Sequence, residues 1–441
     1  MPQASQRPGA RILPQKPPHI IILNPDQWRG DVMGHRGHPA AQTPRIDALV
    51  QDQAVSFRNA FCQNICCTAS RCSFMTGWYP HVAGHRTMSH MLRRHEPMLL
   101  KTLKDHGYFV WWGGKNDVVP AENGFDAYCD VKYARPAAER AKTRARPIPN
   151  WRGAPNGDNF YSFYMGKLAG GDALAGETTS GDWAATRGAV ECIENYDNDK
   201  PLCLFLATSA PHPPYAAEDP WFSMIDRGKV PSRCPIPPDP SREPLMYRQM
   251  REKLQMQGWS DERCQELRAT YIAACAEVDH RLGMVLDALK RRGMFDDAAV
   301  FIFSDHGDLT GEYGVVQKAD GVFPDCQMRV PFIVKPPADV PMRPGVRDAL
   351  VELVDFPATV EAMTGIGPFH DHFGRSLLPV IAGETDEHRD AVFAEGGRRY
   401  GERAAQGREL VPEPFEENLY YPTLRLYRTE TPSIGRATML R

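Results

Sequence analysis

Apolar residues in this chain alternate between short continuous runs and stretches of helical period. His19 to Leu23 is a short apolar run that reads as a buried strand, delivering Asn24-Pro25-Asp26-Gln27 to its carboxyl end. Thr43-Pro44 opens a helix, with Thr43 as N-cap and proline in the first turn, and the pattern continues through Ile46, Leu49 and Val50. A strand near Val55 to Phe61 leads into the segment Cys66 to Gly77. A helix from about Glu96 to His106, stopped by Gly107, precedes a strand from Tyr108 to Trp112, which ends in Gly113-Gly114-Lys115-Asn116-Asp117. Farther on, the pattern predicts a helix over Trp183 to Tyr196 and a strand from Leu202 to Ala207. That strand runs out into Ser209-Ala210-Pro211-His212-Pro213-Pro214-Tyr215. The longest helix starts at the N-cap Ser260 and reaches about Arg292. Strand Ala299 to Phe303 presents Ser304-Asp305-His306-Gly307-Asp308, and strand Val330 to Val334 with helix Phe356 to Met363 completes the alternation.

Strands alternating with helices predict an α/β fold, a doubly wound and mostly parallel sheet flanked by helices. Such sheets place ligand sites at the carboxyl ends of their strands. Asp26-Gln27, Lys115, His212 and Asp305-His306 all follow apolar strands, so one rim can collect them. Residues 130–179 lose periodicity and read as a long surface insertion walling a cleft, and the proline-rich stretch within 213–250 reads as a second loop. The expected organisation is a tail over 1–18, a catalytic domain over 19–385 and an extension over 386–441.

Cys66-Cys67-Thr68-Ala69-Ser70-Arg71-Cys72-Ser73-Phe74-Met75-Thr76-Gly77 organises the rest. Cys67 sits at the start of a helix that Gly77 ends, so free N–H groups and the helix dipole favour an anion beside it. Arg71 follows one turn later, placing a cation on the same face. Taken locally, Cys66, Cys67 and Cys72 fit equally well as small buried residues. A zinc site built with Cys62 is disfavoured, because no C-x-x-C pair is present.

Bulk properties narrow the class. The 441 residues are 42% hydrophobic and 24% charged, as in a soluble globular protein of one large domain or two. A net charge of -3 gives no reason to expect nucleic acid or an anionic membrane as partner, and no apolar run approaches the roughly 20 residues of a membrane span. Met1 to Pro18 lacks the apolar core of a signal peptide, and eleven cysteines without a repeated framework favour reduced thiols, so the expected location is cytoplasmic.

Cys67-Thr68-Ala69-Ser70-Arg71, followed by Met75-Thr76-Gly77 and Tyr79-Pro80-His81, resembles the sulfatase signature C-x-P/A-S-R. The resemblance continues through Asp26-Gln27, Gly114-Lys115, Pro211-His212-Pro213, Ser304-Asp305-His306-Gly307, Lys318, Arg329-Val330-Pro331 and Gly374-Arg375-Ser376-Leu377-Leu378. It implies an alkaline-phosphatase-like fold and a hydrolase of sulfate esters. It also implies a Cys67 oxidised to formylglycine (3-oxoalanine) by a formylglycine-generating enzyme. Asp26, Gln27, Asp305 and His306, with residue 67, are then the ligands of one divalent cation, calcium ahead of manganese or magnesium. That set of hard oxygens with one imidazole suits such an ion. One hydroxyl of the formylglycine hydrate attacks the ester and the other drives collapse, with Arg71, Lys115, His212 and Lys318 serving the anion and the leaving group. His212 is the first choice of leaving-group acid and Lys318 the second.

On their own, Lys115 reads equally as a solvated strand-end lysine and His212 as a loop brace, while His81, His85 and His90 fit surface roles. Three departures stand out. Alanine occupies position 69, where proline is commoner; the family's G-K-x-H reads Gly114-Lys115-Asn116-Asp117; and the sequence ends at Arg441, where the family's small antiparallel subdomain would continue, so that subdomain is expected to be reduced or truncated. Two other readings stand beside sulfate ester hydrolysis: a phosphodiester or phosphonate monoester hydrolase on the same site, and a non-catalytic binding protein in which Cys67 stays a thiol.

Overall fold

The structure, a computed structural model, describes residues 16–137, 140, 164–168, 180–397, 423–428 and 438–440. Most of the insertion expected over 130–179, and the tail up to residue 15, lie outside the described residues.

The fold is built on an eight-stranded sheet. In chain order its strands are β1 (His19–Asp26), β2 (Val55–Phe61), β3 (Phe109–Gly114), β4 (Val131–Lys132), β6 (Leu202–Pro211), β8 (Ala298–Phe303), β9 (Phe332–Lys335) and β10 (Gly345–Glu352). Their spatial order is β10-β2-β9-β8-β1-β6-β3-β4. Every neighbouring pair is parallel except those made by β9, which runs antiparallel to both β2 and β8. Alternate residues of β1 explain its continuous apolar run. Ile21 and Leu23 enter the core on one face and Ile20 and Ile22 the core on the other, so the strand is buried on both sides.

One face carries α1 (Pro44–Asp52), α4 (Gly181–Glu194) and the long α5 (Asp261–Arg291); the other carries α2 (Cys67–Thr76), α3 (Leu99–Asp105) and α6 (Asp355–Thr364). Ser260 caps α5 as expected, its hydroxyl accepting from the Arg263 amide at 3.2 Å. Thr43 does not cap α1. Its hydroxyl is turned to Gly34 and Asp47, and the free amides of Arg45 and Ile46 donate instead to Asp279 of α5, at 3.0 and 2.9 Å. The helix expected from Glu96 begins only at Leu99, because Pro97 disfavours helical backbone at Glu96, whose carboxylate closes a turn on the Arg93 amide. The strand expected from Val330 begins at Phe332, after Pro331, which has no N–H to give the ladder.

The second insertion is more ordered than expected. It contributes β7 (Tyr215–Ala217), paired with β5 (Tyr164–Lys167), and helices at Trp221–Met224 and Leu245–Lys253. The C-terminal region holds a three-stranded antiparallel sheet of β11 (Ala391–Gly396), β12 (Thr423–Arg428) and β13 (Thr438–Leu440). The small antiparallel unit expected to be reduced or truncated is thus represented by three strands.

Candidate active site

Four neighbouring strands, β8, β1, β6 and β3, release their polar ends at one rim. Gly114 makes the turn at the end of β3 possible: its φ is 78°, and a Cβ there would sit 1.9 Å from the Ala207 carbonyl. That carbonyl accepts from the Lys115 amide at 2.8 Å, which aims Lys115 along the rim. Opposite, α2 brings Cys67 in at its first residue, and Gly77 ends the helix in the left-handed region at φ 70°. Every residue of α2 is buried.

Cys67 Sγ is the meeting point. Lys318 Nζ lies 2.9 Å away, His306 Nε2 3.2 Å, Lys115 Nζ 3.6 Å and Asp26 Oδ1 3.7 Å. Asp26, Asp305, His306 and Gln27 are completely enclosed, whereas Lys115, His212 and Lys318 are only half-buried. The site therefore has an acidic, dry floor and a cationic opening.

Arg71 belongs to the floor, not to the opening. Its guanidinium is fully buried, with Nε 2.9 Å from Asp305 Oδ2 and Nη2 3.4 Å from Asp26 Oδ2. It holds the two carboxylates rather than lying over Cys67 to receive an ester. Ser70 adds a bond from its hydroxyl to the Asp305 carbonyl at 2.6 Å, so adjacent residues of α2 grip one aspartate.

Electrostatics follow from this packing. Burial works to raise the Asp26 carboxyl, but Lys115, His212, Arg71 and His306 hold it well below the usual carboxylate range. Burial and Asp26 push the Cys67 thiol up, yet Lys115, Lys318 and His306 outweigh them and favour the thiolate. Lys115 and Lys318 are raised in spite of burial, by Asp26 and Cys67. His212 goes the other way: burial, reinforced by Lys318 and Lys115, drops it to about 3 against the pull of Asp26. Its Nδ1 donates to the Pro213 carbonyl at 2.7 Å, so the neutral ring has a lone pair on Nε2. In this state Nε2 carries no proton, whereas the expected role of first-choice acid needs one there.

The floor fits a hard divalent cation. One ligand atom each from Asp26, Cys67, Asp305 and His306 lies within 4.8 Å of the others. His306 Nδ1 lies 2.9 Å from the Gly307 carbonyl, an outer bond that turns Nε2 inward toward Cys67 and the carboxylates. Gln27 offers Oε1, a buried carbonyl oxygen with no hydrogen-bond partner. The site thus gathers Asp26, Gln27, Cys67, Arg71, Lys115, His212, Asp305, His306 and Lys318.

Residues outside the expected set shape it. The carboxylate of Asp117 lies 2.8 Å from Lys115 Nζ. Asn64 accepts from the Cys66 amide at 2.6 Å and fixes the turn before Cys67. Asp182 takes the amides of Ser209 and Ala210 at 2.9 and 2.8 Å, setting the end of β6 ahead of His212. Asp308 is hydrogen-bonded by Gln27 and by Tyr215. Of these, Asp117 carried a sequence signal, its place in Gly114-Lys115-Asn116-Asp117, and Asp308 another, its adjacency to Asp305-His306-Gly307. His81 pairs with Glu395 and His85 with Glu96, away from Cys67.

The sulfatase family model matches residues 18–366. An arylsulfatase of Clostridium perfringens is 24% identical over 410 residues, spanning 86% of this chain and 81% of that protein. Arylsulfatase K of Danio rerio is 24% identical over 388 residues, spanning 83% and 68%. Among solved structures, a phosphonate monoester hydrolase of Agrobacterium radiobacter superposes with a TM-score of 0.71 at 21% identity, covering 93% of this chain and 86% of its own.

Proposed function

This chain belongs to the sulfatase family, hydrolases of sulfuric ester bonds, and we propose that it works through an oxidised Cys67 and one divalent cation. The observation that supports this reading is the convergence of Lys318, His306 and Lys115 on Cys67 Sγ above a carboxylate pair clamped by Arg71. Asp26, Asp305, His306 and Gln27 would hold the cation, with calcium the first expectation for a set dominated by oxygen. Bound there, the cation supplies charge for an ester oxygen and lowers the pKa of a hydroxyl at residue 67. Oxidation of Cys67 to an aldehyde, the task of a formylglycine-generating enzyme, supplies a hydrated carbon with two hydroxyls where the thiol stands.

The remaining work falls to this chain's own side chains. Lys115 and Lys318, both charged and half-buried, face the opening and receive the anionic oxygens of the ester. Lys318, rather than His212, holds the proton for the departing alcohol, because it remains charged while His212 is neutral. Gln27 and His306 in the cation's donor set keep a phosphodiester or phosphonate monoester hydrolase as the second reading.

The test is a panel of aryl sulfate, phosphodiester and phosphonate esters, assayed in chelator and then with Ca²⁺ or Mn²⁺ restored. Mass spectrometry of the peptide containing Cys67 accompanies it. Sulfate ester turnover should require metal and scale with the oxidised fraction, Cys67→Ala should abolish it, and Cys66→Ala should largely preserve it. Turnover by protein whose Cys67 is wholly intact thiol would overturn the mechanism. Preference for the phosphorus esters would establish the second reading.

A further inference from the structure

Gln27 is held at three of its four polar atoms. Its backbone lies in the left-handed region at φ 66°, an uncommon conformation for a residue with a side chain. Its N–H donates to Asp305 Oδ1 at 3.0 Å, and its carbonyl accepts from the Tyr271 hydroxyl at 2.7 Å. Its side-chain amide donates through Nε2 to Asp308 Oδ2, leaving only Oε1 without a partner. We propose that Asp308 and Tyr215 are positioning residues that fix the orientation of the Gln27 amide, so that the cation site is offered its oxygen and not its nitrogen. The inference rests on the reading of Gln27 as a cation ligand.

An amide has two nearly isosteric ends, and only one can bind a cation. Asp308 decides between them because the Thr310 amide and the Tyr215 hydroxyl already converge on its carboxyl oxygens, so the oxygen facing Gln27 is an acceptor that meets the NH₂ end. Its own orientation is fixed in turn. The Thr310 amide donates to Oδ1, and the Tyr215 hydroxyl lies 2.8 and 3.0 Å from the two oxygens. The Tyr215 oxygen accepts from the Gln317 amide at 2.8 Å, so its single proton is committed to Asp308. Gln27, Asp308 and Tyr215 are all buried, and water is not available to replace a lost partner. The chain of bonds also joins three rim segments: the end of β1, the strand that follows His212, and the residue preceding Lys318.

This arrangement makes a prediction that a merely structural Asp308 does not. In Asp308→Asn, Thr310 and Tyr215 both donate, so they retain the oxygen and turn the new NH₂ toward Gln27. The glutamine amide must then reverse and present its own NH₂ to the cation. In the exchange variant Gln27→Glu with Asp308→Asn, the carboxylate introduced at position 27 accepts from the amide introduced at position 308 with one oxygen. Its other oxygen is offered to the cation, restoring the pattern with the same atoms in exchanged places.

The experiment measures the Ca²⁺ dissociation constant of the full chain by competition with a fluorescent chelator, alongside melting in excess chelator. Gln27→Ala, Gln27→Glu, Asp308→Asn, the exchange variant and Tyr215→Phe are compared. Asp308→Asn should weaken Ca²⁺ binding about 10-fold to 100-fold, the range found when a partner behind a metal ligand is removed. The exchange variant should recover most of that loss and bind more tightly than either of its single substitutions. Tyr215→Phe should weaken binding in the same direction by a smaller factor, which keeps the test decisive if Asp308→Asn fails to fold. Unchanged affinity in Asp308→Asn, or an exchange variant no better than Asp308→Asn, overturns the proposal. Unchanged affinity in Gln27→Ala instead overturns the reading of Gln27 as a ligand, on which the proposal stands.

Discussion

Replacing Arg71 by methionine keeps most of the stem and removes a buried guanidinium that touches both carboxylates of the floor. Asp305 loses a bond of 2.9 Å and Asp26 a contact of 3.4 Å, with all three side chains fully enclosed. Breaking such a pair from one side costs about 3–5 kcal/mol. Two facts favour the lower end: Asp26 keeps Lys115, and Asp305 keeps the amides of Gln27 and His306, each at 3.0 Å. A chain of 441 residues has an unfolding entropy of about 0.9 kcal/mol/K, so Tm should fall by about 3–4 °C in excess chelator. Calcium should narrow that gap. A ligand at a hundred times its Kd stabilises by about 2.7 kcal/mol, and the variant should bind the cation more tightly because the guanidinium no longer repels it. Calorimetry in chelator and in saturating Ca²⁺ measures both quantities, and hydrolysis assays should show turnover lost in either condition. An unchanged Tm in chelator, or a gap that calcium leaves the same, would refute the account of Arg71 as the counter-charge of the floor.

Asp117 pairs with Lys115 at the opening, so it competes with an anionic ester for that ammonium group. Asp117→His should lower KM for a simple aryl sulfate, or leave it unchanged, by a factor of up to about fivefold, the worth of a surface ion pair; loss of all activity would show that Asp117 has another duty. Burial pushes Asp279 up to about 7, against the amides of Arg45 and Ile46 that favour its charged form. Between its ordinary value of 3.8 and about 7 the folded chain therefore keeps a proton that the unfolded chain has lost. Stability falls as pH rises through that window, and the loss is complete above it. The Tm of Asp279→Asn relative to the parent should move in favour of the variant from pH 5 to pH 7, and a constant difference would refute this.

Strands β1, β3, β6, β8 and β9 were legible because each is buried on both faces, which leaves an uninterrupted apolar run such as Ile20 to Leu23, whereas β4, exposed at Val131, and β10, exposed at Asp348, were not predicted. The rim was legible for a related reason: the polar residues ending those runs have no alternative to it. Local chemistry shifted several boundaries. Pro97 delayed α3, Pro331 delayed β9, and Thr43 yielded the cap of α1 to Asp279, more than two hundred residues away in sequence. No local pattern announces a cap supplied by another helix. The neutral state of His212 was also hidden, since it depends on burial and on the bond from His212 to Pro213.

A division between near and far contacts accounts for the remainder. Cys67, Ser70 and Arg71 lie within two turns of α2, and the last two both bind Asp305, so nucleophile and floor are joined by one rigid helix. Such a linkage has to be written as a short motif, because helical spacing alone sets the geometry. The groups that orient the floor are of another kind. Asp308, Tyr215, Tyr271 and Gln317 reach Gln27 or its partner from separate segments, and each contributes one hydrogen bond that any loop of suitable path could supply. Their identities follow from the fold rather than from neighbours in sequence. The residues gathered around Cys67 are therefore readable from short motifs, while those that orient the Gln27 amide become visible only when the buried polar atoms are accounted for one by one.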